Sequence, residues 1–147
     1  MNQDMLAKAI EIAAQAHQGQ FDKGGKPYIL HPLRVMGYLN NPTEEEQCVA
    51  VLHDVIEDSG WTDTDLLSNG ISPTVVNAVI LLTKFEGQSY QSYVNLLLYS
   101  PIAMKVKMAD LRDNMDVTRL KGITQKDKDR MNRYMDLYHL LDTTLKW

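Results

Sequence analysis

The chain has one cysteine, Cys48, in 147 residues, so no internal disulfide can form. It has no apolar run near the roughly 20 residues that a spanning helix requires, which sets membrane insertion aside. The opening Met1-Asn2-Gln3-Asp4 lacks the basic and apolar stretches of a secretory leader, and a cytoplasmic protein is the expectation. An excess of positive charge is missing too: 15 Lys and Arg stand against 19 Asp and Glu, for a formal charge of −4. Affinity for a phosphate backbone comes from many cationic contacts, so no general nucleic-acid binding is expected. A small polyanion needs only a local cationic pocket, to which Lys23, Lys26, Lys84 and Lys107 can contribute. Sustained period-two alternation, internal repeats, linkers and low-complexity stretches are all absent.

What remains reads as helices joined by short polar connections, and the fold class is all-α. The length suits a single domain over 1–147, and a separate regulatory domain is not expected. A first helix is expected over 3–18, with Leu6, Ile10, Ala13, Ala14 and His17 near one face, ended by Gly19 and a glycine-rich loop. A second starts around Pro32. Thr43-Glu44-Glu45-Glu46 is a capping box that opens a third, which runs to about Glu57. A short helix follows Thr62. Ser72-Pro73, Ser89 and Ser100-Pro101 open three more, and Thr124 to Leu145 makes the longest and last.

The chemistry-bearing residues are sparse: His31 before a proline, the pair His53-Asp54, and Asp110. Two imidazoles and two carboxylates can hold one divalent cation and leave positions for water and phosphate, which points toward hydrolysis. On a wheel at about 100° per residue, His53, Asp54, Glu57 and Asp58 share one sector of the third helix. Like charges three and four apart there each disfavour the helix by about 0.2–0.5 kcal/mol, a penalty that a bound cation reverses. The plainer reading of Glu57 and Asp58 is a solvated acidic face. Asp110 falls opposite the solvent side marked by Lys105, Arg112 and Asp116, and is expected to be buried. A buried carboxylate must meet a cation, a donor network or a metal, and a simple pair with Lys107 is the alternative.

Three segments resemble one family, in its order. Ala16-His17-Gln18-Gly19-Gln20-Phe21-Asp22-Lys23-Gly24-Gly25-Lys26-Pro27-Tyr28-Ile29-Leu30-His31-Pro32 is similar to the opening motif of the RelA/SpoT-type alarmone hydrolase domain of the HD superfamily. Val51 to Asp58 resembles its metal and catalytic motif, and Lys107 to Met115 its third. The resemblance implies an HD-type bundle of seven to nine helices and a stand-alone small alarmone hydrolase, similar in size to the metazoan SpoT homologue. It implies one Mn²⁺ held by His31, His53, Asp54 and Asp110, with Glu57 and Asp58 handling the attacking water and Asn114 orienting it. The family reaction removes pyrophosphate from the 3′ position of guanosine 3′,5′-bis(diphosphate). Lys23, Lys107, Arg130 and Tyr134 are the substrate contacts carried over, Arg130 and Tyr134 toward the distal phosphates.

Three departures touch recognition. Asp22 stands where the family has an arginine able to stack on a purine. Asp110-Leu111-Arg112-Asp113-Asn114 replaces Asp-Arg-Leu-His-Asn, so Asp113 takes the place of a histidine. Asp116-Val117 replaces Arg-Thr and removes a hydroxyl expected near the ribose unless Thr118 substitutes for it. Two further readings stay open: a broader metal-dependent nucleotide phosphohydrolase, acting on adenosine alarmones, monophosphates or the NADPH 2′-phosphate, and a non-catalytic nucleotide-sensing module.

Overall fold

The structure, a computed structural model, describes residues 4–146; residue 3, where the first helix was expected to begin, lies outside them. Among the described residues there are nine α-helices, one 3-10 turn and no strand. They are α1 (Met5–Ala16), α2 (Leu30–Tyr38), α3 (Glu44–Leu52), α4 (Val55–Asp58), α5 (Asp63–Ser68), α6 (Pro73–Leu82), α7 (Tyr90–Leu97), α8 (Pro101–Asn114), a 3-10 turn (Val117–Arg119) and α9 (Gln125–Leu145). The all-α expectation holds. None of these helices is long and apolar enough to cross a membrane.

Helix starts follow the local chemistry. Thr43 accepts from the Glu46 amide while the Glu46 side chain accepts from the Thr43 amide, the reciprocal box read from the sequence. Ser72, Ser89 and Ser100 each cap with the side-chain oxygen, and Thr62 with Asp65 and Thr124 with Asp127 form two further boxes. Each such cap contributes about 1 kcal/mol.

The centre of the molecule is α3, which packs on α1, α2, α6 and α8. Cys48, Val49, Ala50, Val51 and Leu52 are all fully buried, so α3 is apolar on every side after its acidic first turn, as a helix enclosed by others must be. Burial pushes the Cys48 thiol up to about 12, which makes it an inert core group. Helix α8 packs on α2, α3, α6, α7 and α9, and α2 lies against both α3 and α8. These three helices supply the candidate ligands.

Two expectations about elements are corrected. The third helix does not run unbroken to Glu57: it stops at Leu52 and resumes at Val55. His53 Nδ1 lies 2.7 Å from the Ala50 carbonyl, the acceptor that the Asp54 amide would use in a continuous helix, and Asp54 adopts φ −103° and ψ −1°. On α1 the buried face is Ala9, Ile12, Ala13 and the following His17, whereas Ala14 is exposed.

Candidate metal centre

Four side chains from three helices converge. His31 comes from the first turn of α2, His53 and Asp54 from the break after α3, and Asp110 from α8. His31 Nε2 is 2.9 Å from Asp110 Oδ1 and 3.7 Å from Asp54 Oδ2. His53 Nε2 is 3.1 Å from Asp54 Oδ2 and 3.4 Å from Asp110 Oδ1. The His31, His53 and Asp110 side chains are buried and Asp54 nearly so.

The proton positions follow from the partners. A carbonyl and a carboxylate can only accept, so His53 Nδ1 donates to Ala50 O at 2.7 Å and His31 Nδ1 donates to Asp113 Oδ2 at 2.6 Å. By the same rule a charged His31 also donates from Nε2 to Asp110 Oδ1 at 2.9 Å, whereas in the neutral rings both Nε2 atoms carry lone pairs that face carboxylate oxygens. Acceptor against acceptor at such distances is repulsive unless a proton or a cation is shared among them. His53 Nε2 is buried and makes no hydrogen bond of acceptable geometry, although Asp54 lies close. The ligand atoms of His31, His53 and Asp54 lie within 4.8 Å of one another, with Asp110 Oδ1 beside both imidazoles, and an orphaned buried nitrogen in such a set fits one divalent cation.

The electrostatics agree. Burial disfavours a charged His53, yet Asp54 and Asp110 carry its pKa well above the ordinary value. Burial would raise Asp110, but Lys107, His31 and His53 outweigh it and hold the carboxyl well below the usual range. Asp54 is likewise lowered, against burial, by His53 and by Tyr28, whose hydroxyl donates to Asp54 Oδ2 at 2.5 Å. The site is polarised toward cation binding.

Asp110 divides its two oxygens between both readings of the sequence. Oδ2 takes the Lys107 ammonium at 3.0 Å, and Oδ1 faces His31 and accepts from Asn114 Nδ2 at 3.2 Å. Lys107 also lies over the Tyr93 ring, 5.5 Å from its centroid. Thus Lys107 and Asn114 both brace a ligand while lining the cavity.

The cavity holds about 980 Å³ and opens over this floor. Glu57 and Asp58, at the end of α4, line it. Glu57 Oε1 accepts from the Lys84 amide at 2.8 Å, whereas the Asp58 carboxylate makes no hydrogen bond to another described residue. Desolvation at the cavity wall, with Asp54 and Glu57 nearby, pushes the Asp58 carboxyl up to about 6. Lys23, Arg130 and Tyr134 reach the same cavity, and Arg130 is paired with Asp127 on its own helix.

Several residues of the site were missed or misjudged in the sequence. Tyr28 sits between His17 and His31, with ring centroids 5.0 and 5.5 Å away. Gln20 links His17 Nδ1 at 2.8 Å to the Asp58 carbonyl, also at 2.8 Å, and so ties the loop to α4. Asp22 lines the cavity, and its Oδ1 is engaged in the loop: it accepts the Gly24 and Lys26 amides, both at 2.9 Å, and closes a turn in which Gly25 has φ +81°. Asp113 lies behind His31 and pairs with Arg34 and Arg119. Its local signal was the register with Asp110 on α8; Arg34, three residues after His31 on α2, carried a similar one. Arg112 is exposed as expected and stacks over Tyr38, and the Thr118 hydroxyl is engaged by Asp116.

An all-α bundle that brings a histidine, a His-Asp pair and a distant aspartate to one point is an HD-type domain. No protein-family model matches the chain. It is 32% identical to the guanosine-3′,5′-bis(diphosphate) 3′-pyrophosphohydrolase of Haemophilus influenzae, over 81% of this chain and 19% of that protein. It is 27% identical to a probable GTP pyrophosphokinase of Mycobacterium leprae, over 99% of this chain and 20% of that protein. A solved structure of a metazoan SpoT orthologue, described as hydrolysing ppGpp with a role in starvation responses, superimposes with a TM-score of 0.77 at 23% identity, covering 99% of this chain and 94% of the other. By these matches the chain belongs to the RelA/SpoT family over the segment shared, and it spans about a fifth of the length of the curated relatives it matches.

Proposed function

We propose that the chain, as a single unit over 1–147, is a Mn²⁺-dependent guanosine-3′,5′-bis(diphosphate) 3′-pyrophosphohydrolase. The observation that carries this reading is the convergence of His31, His53 and Asp54, with Asp110 Oδ1 2.9 Å from His31, beside a cavity that cationic groups line. The activity for which the Haemophilus influenzae relative is named supplies the substrate class. His31, His53, Asp54 and Asp110 hold one Mn²⁺, and other divalent cations suit the same donors. A divalent ion held there would lower the pKa of a water and offset charge on phosphoryl oxygens.

The chain's own groups do the rest. Asp58 takes the water's proton, because its carboxylate is free at the cavity wall and its raised pKa makes it a better base than an ordinary aspartate. Glu57, anchored by the Lys84 amide, orients that water with its other oxygen. The water oxygen bonds to the phosphorus next to the 3′ oxygen, the bond between that phosphorus and the 3′ oxygen breaks, and the 3′ oxygen leaves with a proton. Pyrophosphate and a guanosine 5′-diphosphate are the products. Asn114 and Lys107 keep Asp110 in place, while Lys23, Arg130 and Tyr134 receive the remaining phosphates and base.

The test is turnover by Mn²⁺-loaded protein across guanosine and adenosine 3′-diphosphates, with NADPH and nucleoside monophosphates as controls. Pyrophosphate release from the guanosine substrate is expected. Orthophosphate release from the controls would move the chain to the broader phosphohydrolases, and binding without turnover would make it a sensing module.

A further inference from the structure

The two imidazoles of the site are oriented in different ways. His53 leans on a neutral acceptor, the Ala50 carbonyl. His31 leans on a charged one, Asp113, which is fully buried at 0% exposure on the last turn of α8. Asp113 is also the hub of a clamp: Oδ1 accepts from Arg34 Nε at 2.8 Å, Oδ2 from Arg34 Nη2 at 3.1 Å, and Arg119 Nη1 reaches Oδ1 at 3.4 Å. Arg119 Nη2 further donates to the Asp113 carbonyl at 2.7 Å. One carboxylate therefore joins α2, α8 and the 3-10 turn behind the ligand.

In water an imidazole exchanges freely between its two neutral tautomers and can flip its ring. Beside a buried carboxylate at 2.6 Å Nδ1 keeps its proton, so a neutral ring that gives its Nε2 lone pair to an ion is the Nδ1–H tautomer, and the flipped ring would lose the bond. Both constraints aim the His31 Nε2 lone pair at Asp54 and Asp110. A carboxylate partner also makes the imidazole a stronger donor than a carbonyl does. Two guanidiniums offset the charge of Asp113, which satisfies the condition for burying a carboxylate.

We propose that Asp113 is a positioning residue for the metal: through His31 Nδ1 it selects the ring orientation and tautomer that present Nε2 to the ion, and Arg34 and Arg119 fix it in that position. This rests on the metal site of the proposed function. The aspartate is one of the chain's departures from the motif it resembles, so the clamp belongs to this sequence.

The test uses the full chain stripped of metal and titrated with Mn²⁺, with the free ion followed by electron paramagnetic resonance. Wild type is expected to take one Mn²⁺ and His53→Ala none. The near-isosteric Asp113→Asn is expected to remain folded by circular dichroism and to bind about 10–100-fold more weakly, with Asp113→Glu recovering part of the loss. Folded Asp113→Asn that binds within twofold of wild type overturns the inference while leaving the site intact. No uptake by wild type overturns both. A measurement on wild type keeps the idea open to refutation if the variants do not fold: long-range ¹⁵N spectra of the Zn²⁺-loaded protein are expected to show His31 protonated at Nδ1, and the opposite tautomer overturns it.

Discussion

The floor and the rim of the cavity are built by opposite rules. At the floor each candidate ligand stands on or beside a core helix and is held by a neighbour: His53 by a carbonyl, His31 by Asp113, Asp54 by Tyr28, Asp110 by Lys107 and Asn114. At the rim, Lys23 and Lys121 are exposed, and Phe21 shows 65% of its surface to solvent. A preorganised floor meets an ion without rearrangement, whereas a solvated rim is ordered only when a substrate arrives. Changes at the floor are therefore expected in metal content and kcat, and changes at the rim in KM.

The largest effect breaks the floor. His53→Ala and Asp110→Ala each remove a ligand and are expected to abolish both Mn²⁺ uptake and turnover; stoichiometric metal with full activity in either would refute the site. Next comes the wall between floor and rim. Asp58→Asn is expected to keep the metal and lower kcat by about 10²–10⁴-fold, with a smaller loss for Glu57→Gln. A reversed ranking would transfer the proton-accepting role to Glu57.

The rim gives smaller changes. An arginine at position 22 suits the resembled motif, and on sequence alone Asp22→Arg ought to improve guanosine binding. The loop geometry reverses that expectation, since the substitution removes the acceptor of two backbone amides. A several-fold rise in KM is expected, with a stability loss on the order of 1 kcal/mol for each hydrogen bond removed. A lower KM would restore the base-stacking view.

The smallest effect is in pH. The Asp58 carboxyl titrates near 6 in the fold against an ordinary value of 3.8, so the folded state holds its proton more tightly than the unfolded chain. Its charge therefore works against folding above about pH 6, and this penalty disappears below about pH 4. For the metal-free protein, Asp58→Asn is expected to raise Tm at pH 7 and leave it unchanged at pH 3.5. Equal shifts at both would mean that the carboxylate is not desolvated.

Much of this was legible locally. The caps at Thr43, Ser72, Ser89, Ser100 and Thr124 depend on hydrogen bonds within four residues, and the burial of Asp110 depends on helical periodicity alone. The interruption at His53-Asp54 was not legible, because Val49 to Ile56 is a continuous run of residues compatible with a helix and the break comes with a side chain turning back on Ala50. The place of Asp113 was not legible for a different reason. It looked like a change in substrate recognition, yet its partners His31 and Arg34 lie 82 and 79 residues away in sequence, beyond the reach of any local pattern.

The placement of the ligands on α2, α8 and the end of α3 has a thermodynamic consequence. Those helices enclose the core, so unfolding disperses the ligands as it opens the interior. An ion that binds only the assembled arrangement adds its mass action to the folding equilibrium, about 2.7 kcal/mol at a hundred times Kd. The melting curve of this protein is thereby a gauge of free divalent cation, readable without any substrate.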